Sequence, residues 1–210
     1  MRDSLPTMVR GFLAALRMLV VLTVITGVAY PLVLTGIAQA GLSHEANGST
    51  VEQNGRVVGS SLLGQNFNLP KKNPNDENEE PRPDPKWFQP RFSAGSYDPL
   101  ASGASNLGPN NPDLIASIRE RKAAIAAFDG VRPNAVPPDA VTASGSGLDP
   151  DISLAYAEQQ VPRVAKVRGL EAATVRELVH QNTHSRVLGF LGQRYVNVVR
   201  LNLALNKTTS

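Results

Sequence analysis

Met18 to Leu42 constrains this chain more than any other stretch, because none of its 25 side chains carries a formal charge. The inner part, MLVVLTVITGVAYPLVLTGIA (Met18 to Ala38), is about 31 Å long as a helix, close to one hydrocarbon thickness. Arg17 at its edge can extend to the interface. Arg2, Arg10 and Arg17 against Asp3 place +2 before the span, and the far flank is not basic. That asymmetry predicts a cytoplasmic N-terminus over residues 1–17, a transmembrane helix over 18–38 and an extracytoplasmic domain over 43–210. Ala38-Gln39-Ala40 fits a signal-cleavage site, so secretion competes with anchoring. The apolar run exceeds the roughly 7–15 residues of a signal's apolar region, which favours the anchor. Tyr30-Pro31 should kink the helix, and Gly27 and Gly36 leave room for a neighbouring helix. Thr23, Gly27, Tyr30, Pro31 and Gly36 are the candidate contacts to a partner within the membrane.

Charge removes one function class. The chain holds 21 basic and 18 acidic residues, and the N-terminal segment accounts for most of the excess. What remains is 18 basic against 17 acidic residues with few aromatics, which predicts no nucleic-acid partner. No cysteine is present, so disulfides and thiolate chemistry are excluded.

Beyond the span the pattern predicts an α+β domain with a small sheet and about three helices. Asn54-Gly55 between valine-bearing segments reads as a hairpin turn. Asn68 to Trp87 is rich in Pro, Asn and charge, and reads as a long mobile surface loop. Trp87, Phe88, Phe92 and Tyr97 should pin the irregular segment that follows. Asn111 caps and Pro112 opens a first helix with Leu114, Ile115, Ile118, Ile125 and Phe128 on its apolar stripe. A second helix is expected from Pro150 to about Arg168, kinked or broken at Pro162. A third covers EAATVRELVHQNTH, and RYVNVVRLNLAL alternates like a half-buried strand.

Four features of the sequence invite a chemical reading. His180 and His184 have the i, i+4 spacing of two metal ligands on a helix. Gln181 stands where a zinc protease needs its glutamate, so two solvated histidines are the expectation and no metal is assigned. No G-x-S-x-G elbow supports a serine hydrolase. VTASGSGLDPDIS, with Ser144, Gly145, Ser146 and Gly147, invites a phosphate-cradle reading, but no Gly-Lys-Ser/Thr follows the glycines. Asp149 as N-cap and Pro150 at the first helical position predict a helix start instead. Ser102, Gly103, Ser105 and Asn106 form a second loop, either an anion nest or a set of turns, with turns favoured. An anchored or secreted hydrolase or wall-binding module is the alternative function.

Several segments together resemble the C subunit of the Kdp potassium-transporting P-type ATPase. They are GVAYPLVLTGIAQ, GRVVGSSLLGQNF, SGASNLGPNNP, VTASGSGLDPDIS, QQVPRVAKVRG and RVLGFLGQRYVNVVRLNLAL. Ala104 departs from the second glycine usual in that family, and the Asn68-to-Trp87 loop is longer and more acidic than in compact members. The resemblance implies a single-pass, non-catalytic accessory subunit in the bacterial inner membrane. Its implied partners are membrane lipid, a channel-like potassium-translocating subunit and an ATP-hydrolysing P-type subunit. It also implies assembly stabilisation and a catalytic-chaperone effect on the ATP affinity of the hydrolysing subunit. ATP and potassium are thus implied for the complex, with no cofactor bound tightly by this chain. Because the span places both glycine-rich loops outside, any ATP effect must pass through the span or the partner subunits, as a coupling between states.

Overall fold

A computed structural model describes residues 6–76 and 79–208. Arg2 and Asp3 of the charge asymmetry, and Glu77 and Asn78 of the acidic loop, lie outside the described residues. The chain divides into two compact units, Met1–Ser49 and Thr50–Ser210.

The first unit is one long helix and a short one. Helix α1 (Thr7–Val24) passes through a π-helical turn (Ile25–Ala29) into α2 (Tyr30–Gly41). Together they make a 35-residue helix, the one element among the described residues long and apolar enough to cross a membrane. The π turn sits where a kink was expected. Pro31 has no N–H to give to the carbonyl four residues earlier, and its ring crowds that carbonyl; a locally widened turn accommodates both. The Thr26 hydroxyl donates to the Leu22 carbonyl at 2.7 Å within the same region. Helix α3 (Ser43–Ala46) follows, and the side-chain amides of Gln39 and Asn47 exchange hydrogen bonds at 3.2 Å.

The second unit begins with β1 (Thr50–Gln53) and β2 (Arg56–Ser60), an antiparallel pair. Asn54 and Gly55 turn it with φ of 52° and 73°, as the Asn-Gly pair predicted. Between Asn68 and Trp87 the chain folds back on itself: Leu69 N–H donates to the Arg82 carbonyl at 2.8 Å. The Glu79 carboxylate accepts from the amides of Asn73 and Lys72, and these bonds hold its pKa below the usual range.

Helix α4 (Pro112–Asp129) starts as predicted, with the Asn111 side chain accepting from the amides of Asp113 and Leu114. It ends at Gly130, whose φ of 69° suits a left-handed cap. Of the predicted stripe, Ile118 and Ile125 pack on the core while Ile115 stays exposed. A 3₁₀ turn (Pro133–Ala135) and α5 (Pro138–Val141) lead to β3 (Asp151–Ser153). Helices α6 (Leu154–Arg168) and α7 (Ala172–Gln181), strands β4 (Thr183–His184) and β5 (Tyr195–Asn197), and α8 (Val198–Thr208) complete the unit. β5 lies between β3 and β4, antiparallel to both.

Three expectations are corrected. The second helix starts at Leu154, capped by the Ser153 hydroxyl, because Asp151–Ser153 is held as a strand by β5. Pro162 does not break α6. The lost bond and ring clash cost about 3 kcal/mol, yet Val161 and Val164 beside it are fully buried, each contributing roughly 1.5–3 kcal/mol. The predicted C-terminal strand is a strand only through Asn197; after it, Val198, Leu201, Asn202 and Leu205 are buried at helical spacing. The α+β class stands, with two small sheets and four longer helices among the described residues of this unit, one more than predicted.

Candidate functional site

Two loops that are 44 residues apart in sequence meet here. The Gly103 N–H and the Ser102 hydroxyl both donate to the Ser146 carbonyl, at 2.8 and 3.1 Å. On the same loop, the Ser144 hydroxyl accepts from Gly147 N–H and the Ser146 hydroxyl from Leu148 N–H. The Leu148 carbonyl in turn accepts from Gly64 N–H at 2.7 Å. The amides of Gly103, Gly147 and Leu148 are thus occupied by neighbours. Gly147 has φ of 68°, and a Cβ there would lie 2.7 Å from the Gly103 carbonyl oxygen. Glycine is therefore required at 147 by close approach of backbone, and at Gly145, which faces open space, it is not. Ala104 keeps a negative φ, so its backbone does not need the glycine usual in the resembled family, while Asn106 takes φ of 52°. Turn chemistry, rather than a nest, describes Ser102 to Asn106; Asn106 Nδ2 donates to the Ala104 carbonyl.

Asp149 is not a helix cap. Its Oδ2 accepts from Arg91 Nη1 at 3.0 Å, and its Oδ1 accepts from Asp151 N–H. Arg91 also reaches the carbonyls of Thr142 and Ala143. Ser93 Oγ donates to the Gly147 carbonyl at 2.6 Å and accepts from Tyr97 N–H. The Tyr97 hydroxyl donates to the Arg91 carbonyl, and burial, then the Asp149 charge, pushes its pKa upward. Pro150 leads from this cluster into β3, its carbonyl accepting from Val198 N–H. None of Arg91, Ser93 and Tyr97 was identified from sequence as belonging to these loops, since each acts across 50 or more residues.

Beside this cluster lies a groove of about 390 Å³. Arg91, Phe92, Tyr97, Arg121, Phe128 and Tyr156 line it with prolines, amide side chains and smaller residues, and among the described residues no carboxylate or imidazole joins its walls. Arg121 stacks on Phe92 at 3.3 Å and donates to the Val141 carbonyl. Burial foremost raises the pKa of Tyr156 too, so both phenols stay protonated near neutrality. The described walls therefore offer guanidinium and phenol donors beside aromatic faces.

Below the groove, Arg163 and Asp129 form a buried ion pair at 2.7 Å. Arg163 also donates to the carbonyls of Pro85 and Trp87, and Gln160 accepts from Gln89 N–H. The Asn202 side chain bonds both backbone groups of Phe88. These polar groups, with Phe88 fully buried, fasten the irregular 84–93 segment that aromatic content alone had suggested was pinned.

The two histidines are parted by secondary structure. His180 stands in the last turn of α7 and lies 3.2 Å from Glu158, which also holds Arg176. His184 is on β4, stacked on Tyr195. The i, i+4 face does not form. In the long helix, Thr23 and Gly27 share a face, with the Thr23 methyl 3.9 Å from where a Gly27 Cβ would stand. Tyr30 and Pro31 follow the π turn, and Gly36, five residues on, lies about 140° around the axis from Pro31.

The family model described as K⁺-transporting ATPase, c chain (KdpC), matches residues 12–207. A potassium-transporting ATPase KdpC subunit of Streptomyces coelicolor is 48% identical over 98% of this chain and 96% of its own length. The one from Sorangium cellulosum is 51% identical over 91% of this chain and 95% of its own. That of Mycobacterium tuberculosis is 46% identical, with coverages of 94% and 98%.

Proposed function

The chain belongs to the KdpC family of potassium-transporting ATPase subunits, and we propose that it is the non-catalytic accessory subunit of its complex. One helix anchors it in the bacterial plasma membrane. The N-terminus faces the cytoplasm, for which Arg10 and Arg17 before a far flank without lysine or arginine argue. The domain from Thr50 onward then works outside, on the side from which potassium is taken up.

The single observation that carries the accessory role is the pair of glycine-rich loops, whose Gly103, Gly147 and Leu148 amides and Asp149 carboxylate are bonded within the domain. They support a scaffold rather than a phosphate site. Partners are a potassium-translocating subunit and an ATP-hydrolysing subunit. An effect on ATP affinity reaches the hydrolysing subunit as a coupling free energy between conformational states, without ATP touching these loops.

Co-purification in detergent tests the reading. The uncleaved, tagged chain should bring down two larger membrane subunits, and deleting residues 43–210 while keeping the helix should abolish high-affinity potassium uptake. A soluble product cleaved after Ala40, with no larger subunit attached, would sink it.

A further inference from the structure

The groove beside the loop cluster holds two polar groups that the domain itself leaves unused. Tyr156 lines it from α6 and is 3% exposed, and its hydroxyl has no hydrogen-bond partner among the described residues. Burial keeps that phenol protonated, so it stands as a donor. Tyr97, the other phenol of the walls, donates instead to the Arg91 carbonyl. Phenylalanine would fill the space of Tyr156 without a deep, unpaired hydroxyl, so packing does not account for the oxygen. Charge is left over as well. Arg91 spends its guanidinium nitrogens inside the domain, on the Asp149 carboxylate, the Thr142 hydroxyl and the carbonyls of Thr142 and Ala143. Arg121 does not. Its guanidinium sits over the Phe92 ring at 3.3 Å and gives Nη1 to the Val141 carbonyl, yet joins no ion pair among the described residues. The ring and that one bond restrain the guanidinium while most of its five N–H groups stay available.

We propose that the groove binds a small organic monocarboxylate, its carboxylate held by Arg121, its apolar body against Ile125 and Phe128, and a polar atom of that body paired with the Tyr156 hydroxyl. The inference rests on the fold of this domain and not on the accessory-subunit reading. One uncompensated guanidinium suits one negative charge. A planar carboxylate matches its fork of donors, whereas a polyphosphate would bring charge that these walls do not answer. The groove's 390 Å³ falls among small-molecule sites, which span about 300–1,000 Å³ and combine apolar walls with a few placed polar groups.

The test titrates para-hydroxybenzoate into the full chain in detergent, read by calorimetry and by melting temperature. Saturable binding with a rise in melting temperature is expected. Arg121→Met should weaken it about tenfold or more, through loss of the charge-assisted bonds. The uncharged para-hydroxybenzamide should bind the unmodified chain as poorly. Tyr156→Phe should weaken para-hydroxybenzoate about fivefold or more and leave benzoate, which has no hydroxyl to pair, unaffected. Without ligand, Tyr156→Phe should melt no lower than the unmodified chain, because the hydroxyl it removes bonds nothing in the domain. A lower melt would give that hydroxyl a structural role and overturn the proposal. So would the absence of saturable binding, equal binding of the amide, or tighter Arg121-dependent binding of inorganic phosphate. None of these results bears on co-purification of the larger subunits, so the accessory reading stands or falls separately.

Discussion

Arg91 and Asp149, 58 residues apart in sequence, are joined by a 3.0 Å ion pair that ties the irregular 84–101 segment to the SGSGLDP loop. Both side chains are half-buried, so solvent screens the pair only in part. Arg91 also bonds two carbonyls of the same loop, which a lone salt bridge would not. Arg91→Met should cost about 1–2 kcal/mol, since a charge-assisted bond is lost and Asp149 is left half-buried without its partner. For a unit of this size that is a fall in melting temperature of about 2–8 °C. An unchanged melt would show the pair to be incidental.

The contact between Gly147 and Gly103 gives a sharper contrast. Gly147→Ala must keep a left-handed φ, costing about 1–2 kcal/mol, and must move the Gly103 carbonyl. A loss of roughly 2–4 kcal/mol is expected from the two effects together. Gly145→Ala, two residues earlier and open to solvent, should leave denaturant midpoints where they were. Equal effects at the two sites would contradict the packed-loop geometry.

Removing one partner of the buried Arg163–Asp129 pair should be severe. Asp129→Ala leaves a buried guanidinium without its carboxylate, a loss of about 3–5 kcal/mol. Arg163→Met with Asp129→Leu should recover much of it, because two apolar side chains leave no uncompensated charge, although the Pro85 and Trp87 carbonyls lose a donor. Chemical denaturation of the three chains decides the matter.

Stability should also depend on Asp151. Burial foremost, then the charge of Asp149, raises its pKa above the ordinary 3.8; Asn197, His184 and Arg200 act the other way. A raised carboxyl favours the folded state while protonated. That contribution is complete below the ordinary value and is lost as pH rises through the raised one. Asp151→Asn keeps an acceptor for Asn197 Nδ2, which bonds it at 3.0 Å, and removes the charge. It should therefore raise the melting temperature at pH 7, with the gain vanishing below pH 4. A pH-independent difference would rule out this account.

Within the membrane, Gly27→Leu should lower recovery of the larger subunits while the chain still fractionates with membranes. Thr23 shares the face of Gly27, and a leucine there would hold a neighbouring helix away. The same change at Gly36, on another side of the helix, should have the smaller effect on co-purification.

Local chemistry was legible without any tertiary information. An uncharged apolar run of helix length, an Asn-Gly turn and an Asn-Pro helix start each act within a few residues, and the long helix, the β1–β2 turn and the α4 cap follow from them. The order of the family motifs likewise pointed to the family that the whole chain matches. Elsewhere the deciding partners were distant. Asp149 had the makings of a cap, but Arg91 claims its carboxylate and β5 extends the residues behind it, so Ser153 caps α6 instead. RYVNVVRLNLAL alternates locally like a strand, yet burial of Val198, Leu201 and Leu205 turns its second half into a helix. VTASGSGLDPDIS was ambiguous for the same reason: only the folded chain pairs Gly147 N–H with Ser144, Leu148 N–H with Ser146 and the Asp149 carboxylate with Arg91. Local sequence specifies what each residue is able to do. Long-range burial and pairing decide which of those abilities is used, because their free energies exceed the roughly 1 kcal/mol of a cap or turn preference.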